Sequence, residues 1–115
     1  MYNLNDLTNI AKGLFGKLIN QGFNDITIHQ YTDTQGNTVY AKARLKNAQG
    51  KKHIRPFFFD MDNQWKMGEP VFTLNQKPLY YLHKLSQAQS VWIFEGEQKA
   101  DLMDNLGYTA TTTGG

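Results

Sequence analysis

Cysteine is missing from this chain of 115 residues, which excludes a disulfide framework, thiolate chemistry and cysteine-ligated zinc. Proline is scarce, and Pro56 falls inside an apolar run, where it favours an edge strand or a bulge. No apolar stretch approaches the roughly 18 residues of a membrane span. The opening MYNLNDLTNI has neither the charged start nor the apolar block of a secretory leader. A cytoplasmic protein without membrane contact is therefore the expectation. Glycine patterns of the Walker or dinucleotide type are absent, and no serine sits in a glycine elbow. His29, His53 and His83 lack metal-ligand spacing. One further lack is local: no acid lies between Asp33 and Asp60.

Inside that window stand Lys42, Arg44, Lys46, Lys51, Lys52 and Arg55, half of the 12 basic residues of the chain. A net charge of only +2 conceals this concentration. A local positive field attracts polyanions even when the whole molecule is nearly neutral.

Leu4, Leu7, Ala11, Leu14 and Leu18 recur at helical steps and predict an amphipathic helix over 4–20, capped by Asn3 and left through Gly22. Residues 26–32, 38–46 and 52–60 read as strands joined by turn chemistry at 33–37 and 47–50, an antiparallel three-stranded meander. In the second strand Val39, Ala41, Ala43 and Leu45 face one way and Tyr40, Lys42, Arg44 and Lys46 the other. His53, Arg55, Phe57 and Phe59 share a parity on the third. If the two faces coincide, cations and rings interleave on one surface, which suits single-stranded DNA or RNA. The plainer alternative is a solvated sheet face with the phenylalanines in the core.

Residues 60–71 read as a loop anchored by Trp65, and 78–89 as a helix with Leu79, Leu82, Leu85 and Ala88 in phase. VWIFE (91–95) does not alternate, as expected of a strand covered on both faces. A helix over 98–106 and a strand over 108–113 complete a βαβ unit with parallel strands. The expected fold class is α+β, with a basic-faced module over 1–77 and a βαβ segment over 78–115. Glu95 stands at the carboxyl end of a strand, before a glycine turn into a helix, where open α/β sheets bind ligands. Alternatively, Glu95 and Glu97 only stabilise the positive end of that helix.

VWIFEGEQKADLMDNLGYTATTTGG resembles the first half of a toprim domain in primases and primase–helicases of phages and plasmids: an apolar strand, Glu-Gly-Glu, a helix with Ala-Asp, then Leu-Gly and an Ala-Thr-Thr strand leading to Gly-Gly. YTDTQG (31–36), Trp65 and PLYYL (78–82) are similar to the segment before toprim, so the resemblance spans 26–115. It implies Mg²⁺-dependent phosphodiester chemistry, with Glu95 as acid/base or metal organiser. It also implies a later Asp-x-Asp that does not follow Glu95 in these residues, while Asp60-Met-Asp62 lies upstream and reads as a solvated turn. Gln98 stands where such proteins often carry lysine. Mg²⁺ is thus expected only in a complete toprim site and not on this chain alone.

The expected function is the nucleic-acid-binding part of a DNA primase, acting through Tyr40, Lys42, Arg44, Lys46, Lys52 and Arg55 and inactive by itself. The alternative is a small phage-derived binding protein that inhibits a host nucleic-acid enzyme or defence complex. A truncated sheet would favour a protein partner or self-association.

Overall fold

The computed structural model describes residues 3–72, 78–85, 88 and 90–112. The chain forms two compact units, one of Met1–Gln30 with Tyr40–Val71, the other of Tyr31–Val39 with Phe72–Gly115.

The first unit begins with helix α1, Leu4–Leu14, and continues through Phe15 into α2, Gly16–Asn20. At its start the Asn3 side chain accepts from Asp6 N–H while the Asp6 carboxylate accepts from Asn3 N–H, a reciprocal capping box. The single helix expected over 4–20 is divided because Phe15 leaves helical geometry, with φ −109° and ψ 26°. It lies between Gly13 and Gly16, the weakest helix formers of the segment.

Strands β1 (Asp25–Thr32), β2 (Thr38–Lys46), β3 (Lys52–Phe59) and β4 (Trp65–Met67) form one sheet in the order β1-β2-β3-β4. β4 corrects the expected three-stranded meander: Phe57, Phe58 and Phe59 pair with Met67, Lys66 and Trp65. Pro56 therefore sits in an inner strand, opposite the place where β4 ends, and its carbonyl accepts from Gly68 N–H at 2.8 Å. The core of this unit gathers Leu7, Ala11 and Phe15 with Phe23, Ile28, Ala41, Ala43, Leu45 and Phe57.

The chain turns three times in one manner. Asp33, Asn47 and Asp60 each donate their N–H to the carbonyl four residues on, and each carbonyl accepts from the N–H three residues on. Each side-chain oxygen accepts from the N–H two and four residues on: Gln35 and Asn37, Gln49 and Lys51, Asp62 and Gln64. The fourth turn residue has positive φ: Gly36, Gly50 and Asn63, positions where glycine or asparagine is least strained. Such turns set the register that follows.

Asp33 is held below the ordinary carboxylate value chiefly by the Asn37 N–H, and Asp60 chiefly by the Lys66 ammonium and then the Gln64 N–H. A lowered folded value gives stability that is present above the ordinary value of 3.8 and is lost as pH falls through the lowered one. The pair Asp33→Asn with Asp60→Asn keeps the turn acceptors at every pH. It is expected to show a smaller loss of urea midpoint between about pH 6 and pH 2.5 than the parent, and an equal loss would refute this origin of acid sensitivity.

In the second unit, one turn of helix α3 (Leu82–Leu85) follows Tyr81, whose φ is 58°. The longer helix expected over 78–89 does not form from residue 78, since Tyr81 is left-handed; residues 86, 87 and 89 lie outside the described residues. β5 (Trp92–Ile93), α4 (Glu97–Asn105) and β6 (Ala110–Thr111) follow, and β5 pairs with β6 in parallel. Of the strand expected over 108–113, Thr113 lies outside the described residues, as do the two glycines after it.

Candidate functional site

The register of β2 and β3 decides what the cationic face contains. Ala41, Ala43 and Leu45 stand opposite Phe57, Arg55 and His53, while Lys42, Arg44 and Lys46 stand opposite Pro56, Ile54 and Lys52. Directly opposed residues project to the same side of a sheet. Arg55, His53 and Phe57 therefore share the side of the apolar core, and Lys42, Arg44, Lys46 and Lys52 share the other. The two faces considered from strand parity do not coincide.

Burial narrows the site further. Tyr40 is 0% exposed and Lys42 8%, so two of the six residues expected to contact nucleic acid are withdrawn from the surface. Arg44 and Lys46 are half-buried and Lys52 is exposed. Arg55 is exposed, with its guanidinium turned back onto the Ile54 carbonyl and His53 Nδ1, both at 3.1 Å. The His53 ring packs on Phe23, with centroids 4.6 Å apart. An open group of cations thus survives only toward the β2–β3 turn.

The second unit carries Glu95 and Glu97. Trp92 N–H donates to Thr109 O at 2.9 Å and Phe94 N–H to Thr111 O at 3.0 Å, aligning β5 with β6. Helix α4 packs on β6 with Ala100 and Ala110 buried. Gly96, with φ 83°, turns the chain from β5 into α4 and donates its N–H to Thr112 Oγ1 at 3.1 Å. Glu95 precedes it on an exposed bend. β5 is not covered on both faces as its apolar run suggested: Trp92 is 53% exposed and Ile93 72%. Among the described residues β5 has a single strand neighbour, β6.

The buried acid of this unit is Glu97, which is 7% exposed and accepts from the Tyr31 hydroxyl at 2.8 Å. Beside it, the Tyr80 and Tyr81 hydroxyls both donate to Asp101 Oδ1, at 2.7 and 2.5 Å. The Tyr31 and Tyr80 rings lie 5.1 Å apart. Thr111 Oγ1 donates to the Tyr80 carbonyl at 2.6 Å. Burial first, and Asp101 second, push both phenols above their ordinary range, so they keep their protons and act as donors. The sequence reading missed this network. Its signal lay in the spacing of Glu97 and Asp101, one helical turn apart on α4.

A Mg²⁺ ion needs about six oxygens in near-octahedral array, and the described residues of this unit do not fit one. Glu95 is on the exposed bend, Glu97 is engaged by Tyr31, and among the described residues no three His, Asp or Glu gather into a metal-holding group. Asp60 is turned to its own hairpin and to Lys66, at 2.6 Å. No family model, curated protein or solved structure matches this chain.

Proposed function

We propose that this chain is the nucleic-acid-binding part of a DNA primase of the phage or plasmid type. The observation that supports it is the parallel β5–α4–β6 connection, with Glu95 on the exposed bend two residues beyond β5. Parallel strands β5 and β6 are joined by α4, and Gly96 makes the turn directly after Glu95. That geometry is compatible with the toprim-like unit implied by the Glu-Gly-Glu resemblance. In that reading Glu95 serves as acid/base, and the cations of β2 and β3 hold template or nucleotide phosphates. Since no Asp-x-Asp follows Glu95 in these residues, the chain alone is expected not to extend a primer.

The test is a pair of assays on the 115-residue chain. Labelled oligonucleotide should bind, and bind more weakly as salt rises. Nucleotide incorporation with Mg²⁺ should be absent. Incorporation would overturn the role assigned to the missing acidic pair, and failure to bind any oligonucleotide would overturn the reading as a whole.

The exposed Trp92 and Ile93 favour a second reading, a non-catalytic protein that works by binding another protein, such as a host nucleic-acid enzyme. It leads if Ile93→Lys abolishes capture of a protein target while oligonucleotide binding is absent in the parent.

A further inference from the structure

We infer that the end of the β2–β3 hairpin is a clamp for the phosphodiester backbone, built from Arg44, Lys46, Lys51 and Lys52, that responds to charge and not to bases. This rests on the nucleic-acid reading above and alters its mode.

Asn47 N–H donates to Lys51 O at 2.9 Å, so residues 47 and 51 form a hydrogen-bonded pair. Pairs alternate along an antiparallel ladder, which makes Lys46 and Lys52 a non-hydrogen-bonded pair with Cα atoms about 4.5 Å apart. Like charges so opposed destabilise a sheet. The neighbouring hairpin has no such like-charge pair, since Lys66 stands opposite Phe58, and its lysine is neutralised internally: Lys66 Nζ lies 2.6 Å from Oδ2 of Asp60, the acid that makes its turn. The β2–β3 turn has the same backbone, yet Asn47 holds that position and makes the same side-chain bonds without charge. Arg44 follows on the same face about 7 Å along β2. Lys51, opposite Asn47, has the parity of His53 and leaves from the other face, exposed at the hairpin end where a phosphate chain can reach both sides. Among the described residues none of the four has an anionic partner. An external phosphate between Lys46 and Lys52 relieves their repulsion, and Arg44 is placed for the next one.

Rings are set apart from these cations. Tyr40 and Phe57 are buried, and Phe59 packs on Trp65 with centroids 5.3 Å apart. The nearest neighbours of the cations on their own face are Ile54 and Pro56, and the half-buried Phe58 lies four positions along β3 from Ile54, about 13 Å away. Stacking is what adapts a groove to single strands. Without it, binding follows phosphate density, which is higher in a duplex.

The experiment is fluorescence anisotropy with a labelled mixed-sequence 20-mer, single-stranded and duplex, at 50 and 200 mM salt. The duplex should bind at least as tightly as the single strand. With about four phosphate contacts its affinity should fall about a hundredfold across that salt range. Lys46→Gln with Lys52→Gln should halve the slope of log affinity against log salt. Asn47→Asp should keep or raise the urea midpoint, since aspartate makes the same turn at 33 and 60, while weakening binding about fivefold or more. Lys12→Gln with Lys17→Gln, exposed on α1 and α2, should leave binding unchanged. Binding that ignores Asn47→Asp and the double variant overturns the clamp alone, as does a strong preference for the single strand. Binding to anionic phospholipid vesicles with none to either oligonucleotide overturns the clamp and the nucleic-acid reading together.

Discussion

Phe57→Ala is expected to cost about 3–5 kcal/mol, the range for removing a fully buried ring, and to unfold much of the first unit at moderate urea. Phe57 is 0% exposed, opposite Ala41 in β2 and Met67 in β4. Its ring meets Phe15 edge-on at 6.0 Å and Trp65 at 5.7 Å. Helix and sheet therefore close on one side chain, and a small residue opposite it cannot fill the cavity. Urea unfolding followed by Trp65 fluorescence in a Trp92→Phe background reports on this unit. Phe59→Ala is the control: Phe59 has the same parity but is exposed at the strand end, so its loss should cost about 1 kcal/mol. Equal costs at the two positions would mean that Phe57 is not the keystone of the core.

That core was largely legible beforehand. The stripe of Leu7, Ala11 and Leu14 and the alternation of Ala41, Ala43 and Leu45 both named residues that pack together. Parity within one strand is local information, but which parities share a face across two strands depends on the turn between them. The signal for that was present: the turns beginning at Asp33 and Asn47 share a pattern ending in Gln-Gly, which pairs odd residues with odd. β4 was harder to see, because three residues give no period and only Trp65 marked it. The apolar run at β5 misled for another reason: lack of alternation reports what a strand could bury, while burial itself requires neighbours, and β6 is the one strand beside it among the described residues. In the candidate site, the position of Glu95 before Gly96 was readable, whereas the inward turn of Glu97 onto Tyr31 depends on partners 66 residues apart.

The second large effect belongs to Asp101. Asp101→Ala should cost about 2–3 kcal/mol, because it takes the acceptor from two hydroxyls at once, and Tyr80 is too buried to turn to water. Removing both partners is expected to be milder than the sum, so Asp101→Ala with Tyr80→Phe should show coupling of about 1–2 kcal/mol in a double-mutant cycle. Additive losses would mean that the hydroxyl and the carboxylate act separately. The same network gives an alkaline limit. Both phenols have folded values above the ordinary 10.0, so their contribution is intact below that value and is lost as pH rises above it. Tyr80→Phe should flatten the decline in thermal midpoint above about pH 10, and an unchanged decline would count against this source.

The thrice-used bend has a bearing on how such a sheet can change. Because aspartate and asparagine satisfy the same backbone donors there, the sign of a strand end can be rewritten one amide at a time while every side chain keeps its facing. A lineage, or a designer, could move an attractive pole from one rim of this scaffold to another without disturbing what lies beneath.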